Sequence, residues 1–179
     1  MNFLELVARR QSIRKYTPKP VSREIIDRCL EAARLAPSAC NSQSWSFIII
    51  DDREMVKKLS QGVFSGIYSM NSFAKNAAAL IIVVTEREKF TARLGGYFRG
   101  VKYNLIDIGI ACEHFMLQAE SEGVGTCWLG WFNADRVKKI LSIPKAKKID
   151  VLISMGYAED RSLRQKIRRS LGEIRHYFN

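Results

Sequence analysis

Apolar residues along this chain follow two rhythms, and the switches between them predict the order of its elements. Phe47–Ile50, Ala79–Thr85 and Ile149–Met155 are short, nearly unbroken apolar runs, the pattern of strands covered on both faces, and Thr126–Leu129 is a fourth, weaker one. The first two are expected at the centre of a sheet. Helical spacing takes over elsewhere. Phe3, Leu4, Leu6 and Val7 follow an Asn2/Glu5 capping pair, and Ile25, Ile26, Cys29, Leu30 and Ala33 follow Ser22 until Pro37 stops the pattern. Asp52 and Asn133 head two further helices, running through Leu59 and Leu141. Positions 101–121 read as a long helix that is apolar nearly all round, with Ile108, Ala111, Cys112, Phe115 and Ala119 on one side and few charges on the other. Such a helix is buried against two partners, which fits a dimer interface, and Gly123 ends it. Gly62–Asn76 and Arg87–Gly100 are poorly patterned and are expected to be mobile. The stretch from Arg161 onward is too polar to build a core and is expected to wrap over a neighbour.

Composition narrows the class. A length of 179 residues with 47% hydrophobic positions suits a single domain spanning 1–179. The longest apolar run, 77–84, is far below the roughly 20 residues needed to span a bilayer, and Glu5 with Arg9 and Arg10 does not resemble a secretory leader. A soluble, cytoplasmic protein with no membrane partner is therefore expected. The four cysteines, Cys29, Cys40, Cys112 and Cys127, contain no C-x-x-C pair and read as reduced thiols, with Cys29 and Cys112 as small hydrophobes on helix faces. A net charge of +11 invites a nucleic-acid reading. No helix-turn-helix, zinc finger or aromatic RNA-binding signature accompanies the basic clusters at 145–148 and 161–175, so anionic small ligands and solvated surface account for them better. His114 and His176 have no motif partner, and Asp107 with Glu113 makes no convincing acid–base pair.

Three separated segments carry the chemistry. Arg10-Gln11-Ser12-Ile13-Arg14 and Lys166-Ile167-Arg168 bring guanidinium, ammonium and hydroxyl donors from the two ends of the chain, the group types that hold a phosphate. Between them, Pro37, Ser38, Ala39, Asn41 and Gln43 form an irregular run of amides and hydroxyls suited to the edge of a heterocycle. A fourth segment, Gly123-Val-Gly-Thr-Cys-Trp-Leu129-Gly130-Trp131, follows the long helix. Cys40 and Cys127 flank these segments without a redox partner, and Trp45 and Trp128 read as packing residues.

In this combination and order, over nearly the whole chain, these segments resemble the nitroreductase family of FMN-dependent oxidoreductases. Arg10, Gln11, Ser12 and Arg14 match the family's opening Arg-x-Ser-x-Arg segment, and Pro37, Ser38, Asn41, Gln43 and Trp45 match its Pro-Ser-x-x-Asn-x-Gln-Pro-Trp segment. Ser44 stands where the family carries proline, and Trp131 where a small residue is common. The resemblance implies an α+β fold with a central, mostly antiparallel sheet flanked by helices, in an intertwined homodimer with two composite sites. It implies tightly held FMN, reduced by NADH or NADPH and reoxidised in ping-pong fashion by nitroaromatics, quinones or similar acceptors. By the same resemblance Arg10, Arg14, Lys166 and Arg168 hold the phosphate, and Ser12 and Ser38 donate to it or to the ribityl chain. Asn41 and Gln43 meet the ring or ribityl group, and Asn71 meets the pyrimidine edge. Leu129, Gly130 and Trp131 pass over the flavin, with the Gly130 N–H at N5. No acid or base residue is called for, because the flavin supplies the hydride chemistry. A specialised flavin-dependent relative with another substrate, or a non-catalytic flavin-binding protein, is the alternative.

Overall fold

A computed structural model describes residues 1–87 and 89–178. Its centre is a four-stranded sheet of β1 (Trp45–Ile50), β2 (Ala79–Thr85), β3 (Gly125–Leu129) and β4 (Lys148–Gly156), in the order β1-β2-β4-β3 with every pair antiparallel. The placement of β1 corrects the sequence expectation. It is an edge strand, paired with β2 alone among the described residues, whereas β2 is central as expected. The unbroken apolar run reports that both faces of β1 are covered, which says nothing about whether both of its edges are hydrogen-bonded.

Alternation along the strands divides the core in two. Ile81, Val83, Ile153 and Met155 point to one face, against α2 (Arg23–Arg34) and α5 (Tyr103–Ser121). Leu80, Ile82, Val84 and Leu152 point to the other, against α3 (Arg53–Val63) and α6 (Ala134–Ile140). A bulge where Val83 faces Val151 but Val84 faces Ile149 leaves Asp150 as the extra residue, and Thr85 Oγ1 donates to its Oδ2 at 2.6 Å.

The predicted caps form at three of four sites. Glu5, Met55 and Arg136 donate their backbone N–H to the side chains of Asn2, Asp52 and Asn133 at 2.8–3.0 Å. Ser22 occupies the fourth cap position without bonding the backbone through its side chain. The two poorly patterned regions form turns and a helix among the described residues. Gly66–Asn76 runs as successive 3₁₀ turns after α3, and Phe90–Arg99 forms α4, because Gly100 in the left-handed region (φ 66°) lets the chain close that helix.

Two elements bury little. α1 (Phe3–Arg9) lies along α5 but has no buried residue, so Phe3 and Leu4 face outward. Beyond Ala158 the tail runs over the surface, apart from a single turn, α7 (Leu171–Ile174). Cys29 and Cys112 are buried with α2 and α5, and burial pushes both thiols up to about 12, the behaviour of small hydrophobes. Among the described residues no helix is long and apolar enough to cross a membrane.

Candidate functional site

The first half of the site is where the two ends of the chain meet. After α1 the backbone runs beside β3, with Ile13 N–H donating to Thr126 O at 2.9 Å. This approach requires Gly125, since a Cβ there would lie 2.4 Å from Ile13 Cγ1. Tyr16 locks the same stretch through bonds from its hydroxyl to Ile13 O and Ser154 Oγ, both 2.8 Å. The tail then clamps down from the other side. Gln11 Nε2 donates to Ser162 O at 2.9 Å, Arg164 Nε donates to Gln11 Oε1 at 3.0 Å, and an Arg164 guanidinium N–H donates to Ser12 O. Lys166 Nζ reaches the C-terminal turn of α1 and donates to Val7 O at 2.6 Å.

The result is a concentration of positive charge short of partners. Arg10 Nε is buried with no hydrogen-bond partner, and the nearest carboxylate, Glu113, stands 3.7 Å away. Burial, then the neighbouring Arg10 and Arg168, hold Lys166 below the usual lysine range. The Cys127 thiol lies against the same group. Burial raises its pKa even though Arg14, Ser12, Arg164 and Arg10 each act to lower it. A buried guanidinium N–H without an acceptor is costly, and so are converging cations. A phosphate dianion answers both, so the residues present fit that group.

The second half is the loop after α2. Ser38 Oγ accepts the Gln43 N–H and Gln43 Nε2 donates to Asn41 Oδ1, each at 3.0 Å. Cys40, Asn41 and Gln43 all adopt left-handed backbone, with φ of 52°, 51° and 48°. Three such residues without glycine store strain of roughly 1 kcal/mol or more each. The loop is held by a residue that sequence reasoning set aside. Asp107, on α5 and only 3% exposed, accepts the Ala39 N–H at 3.0 Å through Oδ1, while its Oδ2 is buried without a partner. Lys89 Nζ adds a bond to Cys40 O at 3.3 Å. Ser44, at the family's proline position, is fully buried with Oγ unpartnered, and its carbonyl accepts the Glu86 N–H at 3.0 Å. Trp45 packs partly buried against the core, as expected.

A third piece lies past β3. Leu129 is buried, whereas Gly130 is in open surroundings, its nearest side-chain atom being Trp128 Nε1, 3.7 Å from where a Cβ would stand. Trp131 Nε1 donates to Ile67 O and Asn71 Nδ2 donates to Trp131 O, each at 2.9 Å. The amide nitrogen of Asn71 is thus used on the chain itself.

Residues 7–157 match the sequence profile of the nitroreductase family. The chain belongs to this family. An Archaeoglobus fulgidus protein provisionally named NADH dehydrogenase/NAD(P)H nitroreductase is 33% identical over 163 residues, covering 88% of this chain and 86% of its own. Rat iodotyrosine deiodinase 1 is 25% identical over 177 residues, 87% of this chain and 61% of the deiodinase. The structure of an FMN-dependent nitroreductase from Clostridium difficile R20291 superposes with a TM-score of 0.73 at 27% identity, covering 99% of each chain. As a member of this family the protein is an oxidoreductase with the family's α+β fold.

Within one copy of the nitroreductase the basic cluster and the amide loop stay apart. Arg10 and Arg9 approach Glu113 and Glu120 on α5, whereas the loop hangs from Asp107; at 1.5 Å per residue Glu113 lies about 9 Å and Glu120 about 20 Å along the helix from Asp107. No hydrogen bond or ion pair among the described residues joins the two. Arg10, Ser12, Arg14, Lys166 and Arg168 are brought together, and Pro37, Ser38, Ala39, Asn41 and Gln43 form the second group. Arg164 joins the first group and Asp107 supports the second. Arg164 sits in a charge run with no motif to single it out, and the only signal for Asp107 was a carboxylate on an otherwise apolar helix face.

Proposed function

We propose that this nitroreductase binds FMN at sites completed by a second copy and transfers two electrons from NADH or NADPH to quinones, nitroaromatics or similar electron-poor acceptors. The observation that carries the reading is the buried Arg10 Nε, without a hydrogen-bond acceptor, among Lys166, Arg168 and Arg14, where cations outnumber the nearby carboxylates Glu113 and Glu120. In this assignment these four residues hold the phosphate and Ser12 and Ser38 donate to it or to the ribityl chain. Asn41 and Gln43 meet the ring or ribityl hydroxyls, Asn71 offers its remaining amide oxygen to the pyrimidine edge, and the Gly130 N–H faces the reactive nitrogen. Gly130 has open surroundings where a side chain would stand, and its N–H would stabilise negative charge developing on the ring. When bound, the flavin supplies the hydride-accepting and hydride-donating centre. The overall balance is NAD(P)H, a proton and a quinone giving NAD(P)⁺ and a hydroquinone, with the proton taken from solvent.

The second copy is supported by what a single chain leaves uncovered. α1 buries none of its residues, and Ile106 on α5 and Ile167, Leu171, Ile174 and Tyr177 on the tail are all exposed. A partner copy would cover these exposed apolar side chains. A dimer would also bring the amide loop of one copy to the phosphate cluster of the other.

The visible spectrum of the purified protein, followed by separate anaerobic additions of NADH and NADPH, tests this. Yellow protein that bleaches and recovers its flavin band with a quinone is the expected result. Protein that stays colourless after incubation with FMN overturns it. Yellow protein inert to both nicotinamides would point instead to a specialised chemistry, as the similarity to iodotyrosine deiodinase makes concrete.

A further inference from the structure

One wall beside Gly130 is held rigid and yet left bare. Trp131 is pinned at three points: its indole N–H on Ile67 O, its carbonyl on Asn71 Nδ2, and its ring against Tyr68, with centroids 5.2 Å apart at 49°. The polar atom of its side chain is therefore satisfied within the chain, but the residue remains 51% exposed. Ile67 and Met70, from the same 3₁₀ segment that anchors it, are 74% and 73% exposed. A surface indole with its N–H already used offers no hydrogen bond to a ligand. It offers a flat apolar face whose rotamer is set before anything binds, so little ordering cost falls on binding.

We infer that Trp131 is the specificity-determining residue of this site, and that with Ile67 and Met70 it forms a preorganised platform selecting planar, fused-ring aromatic acceptors of the naphthoquinone class over compact acceptors. The inference rests on the flavin reading above. Discrimination here comes from shape and overlap area. A bicyclic ring matches the extent of an indole and displaces water from the Ile67 and Met70 side chains, whereas a compact acceptor covers neither. Asn71 is a positioning residue for this wall, acting through the Trp131 carbonyl.

The test compares wild type, Trp131→Ala, Trp131→Phe and Asn71→Ala, each reconstituted with FMN, using menadione and ferricyanide as acceptors with the same nicotinamide donor. In Trp131→Ala the KM for menadione should rise roughly tenfold relative to the KM for ferricyanide, the size of one lost aromatic contact with its buried area. Trp131→Phe should lie between alanine and wild type, and Asn71→Ala should shift the same ratio by a smaller factor. An unchanged ratio in Trp131→Ala and Trp131→Phe overturns the inference. So does loss of bound flavin in both variants from a wild type that holds it, since Trp131 would then be a cofactor ligand. A wild type that takes up no FMN overturns the flavin reading itself and this inference with it.

Discussion

The basic cluster at the chain termini and the amide loop after α2 meet α5 at different places, at Glu113 and Glu120 and at Asp107, and are held by different means. The cluster is electrostatically incomplete: Arg10 Nε is buried without a partner, and Lys166 is held down by burial and by its cationic neighbours. The loop is tied by hydrogen bonds through Ser38, Asn41 and Asp107 but is conformationally costly, with three left-handed residues, and it leaves Asp107 Oδ2 buried without a partner. One half therefore needs a ligand to settle it, and the other is shaped before a ligand arrives. Affinity should depend mainly on the first half, and the fold's integrity on the second.

Removing the cluster's key cation is the sharpest way to break that contrast. Arg10→Ala should weaken FMN binding by about a hundredfold, the loss expected when one partner of a desolvated charge pair is truncated, as followed by fluorescence titration. It should leave riboflavin binding nearly unchanged, because riboflavin lacks the phosphate. The thermal midpoint of the flavin-free protein should change little, since removing a buried N–H that lacks a hydrogen bond offsets the loss of the 3.7 Å contact with Glu113. Equal losses for FMN and riboflavin would place Arg10 elsewhere than at the phosphate.

The loop should respond in the reverse order. Asp107→Ala leaves the Ala39 N–H unsatisfied beneath a strained turn and should destabilise the flavin-free protein by roughly 2 kcal/mol, a shift of several degrees in thermal unfolding. Asp107→Asn, which keeps an acceptor oxygen, should recover most of it. If alanine and asparagine are equally destabilising, the charge rather than the acceptor holds the loop.

The smallest expected effect is a pH dependence. The folded-state pKa of Lys166 lies below its ordinary value of 10.5, so the unfolded chain binds the proton more tightly than the native one does. Stability of the flavin-free protein should therefore gain a contribution as pH rises through the folded pKa toward 10.5, with no gain from this group below that window. A bound phosphate dianion would supply the missing counter-charge and remove the gain. Denaturant melts across alkaline pH, with and without FMN and for Lys166→Met, would isolate it.

Much of the fold was legible because local rules and tertiary structure agree. The runs that became β2 and β4, the cap residues Asn2, Asp52 and Asn133, and the all-round apolar character of α5 each have a short-range physical cause visible in the sequence. β1 was misplaced because apolarity reports covered faces and not paired edges. α4 was missed because its apolar residues, Phe90, Leu94, Tyr97 and Phe98, are exposed on the helix surface and give no buried stripe to read. The site divides the same way. Arg10, Ser12, Arg14, Lys166 and Arg168 could be nominated by group type alone. Arg164, Asp107 and the Asn71–Trp131–Ile67 pinning could not, because they join positions tens to more than a hundred residues apart.

The sequence by itself determined the family, through it the α+β class, most of the elements and the chemical types that meet a phosphate and a ring, since these follow from motif, periodicity and capping. Only the tertiary structure decided that the two chain ends close over each other, that Asp107 carries the strained loop, and that Arg10 Nε is buried without a hydrogen-bond acceptor. Those facts depend on which side chains lose water together and which find partners, and burial and pairing are properties of the assembled chain rather than of any segment of it.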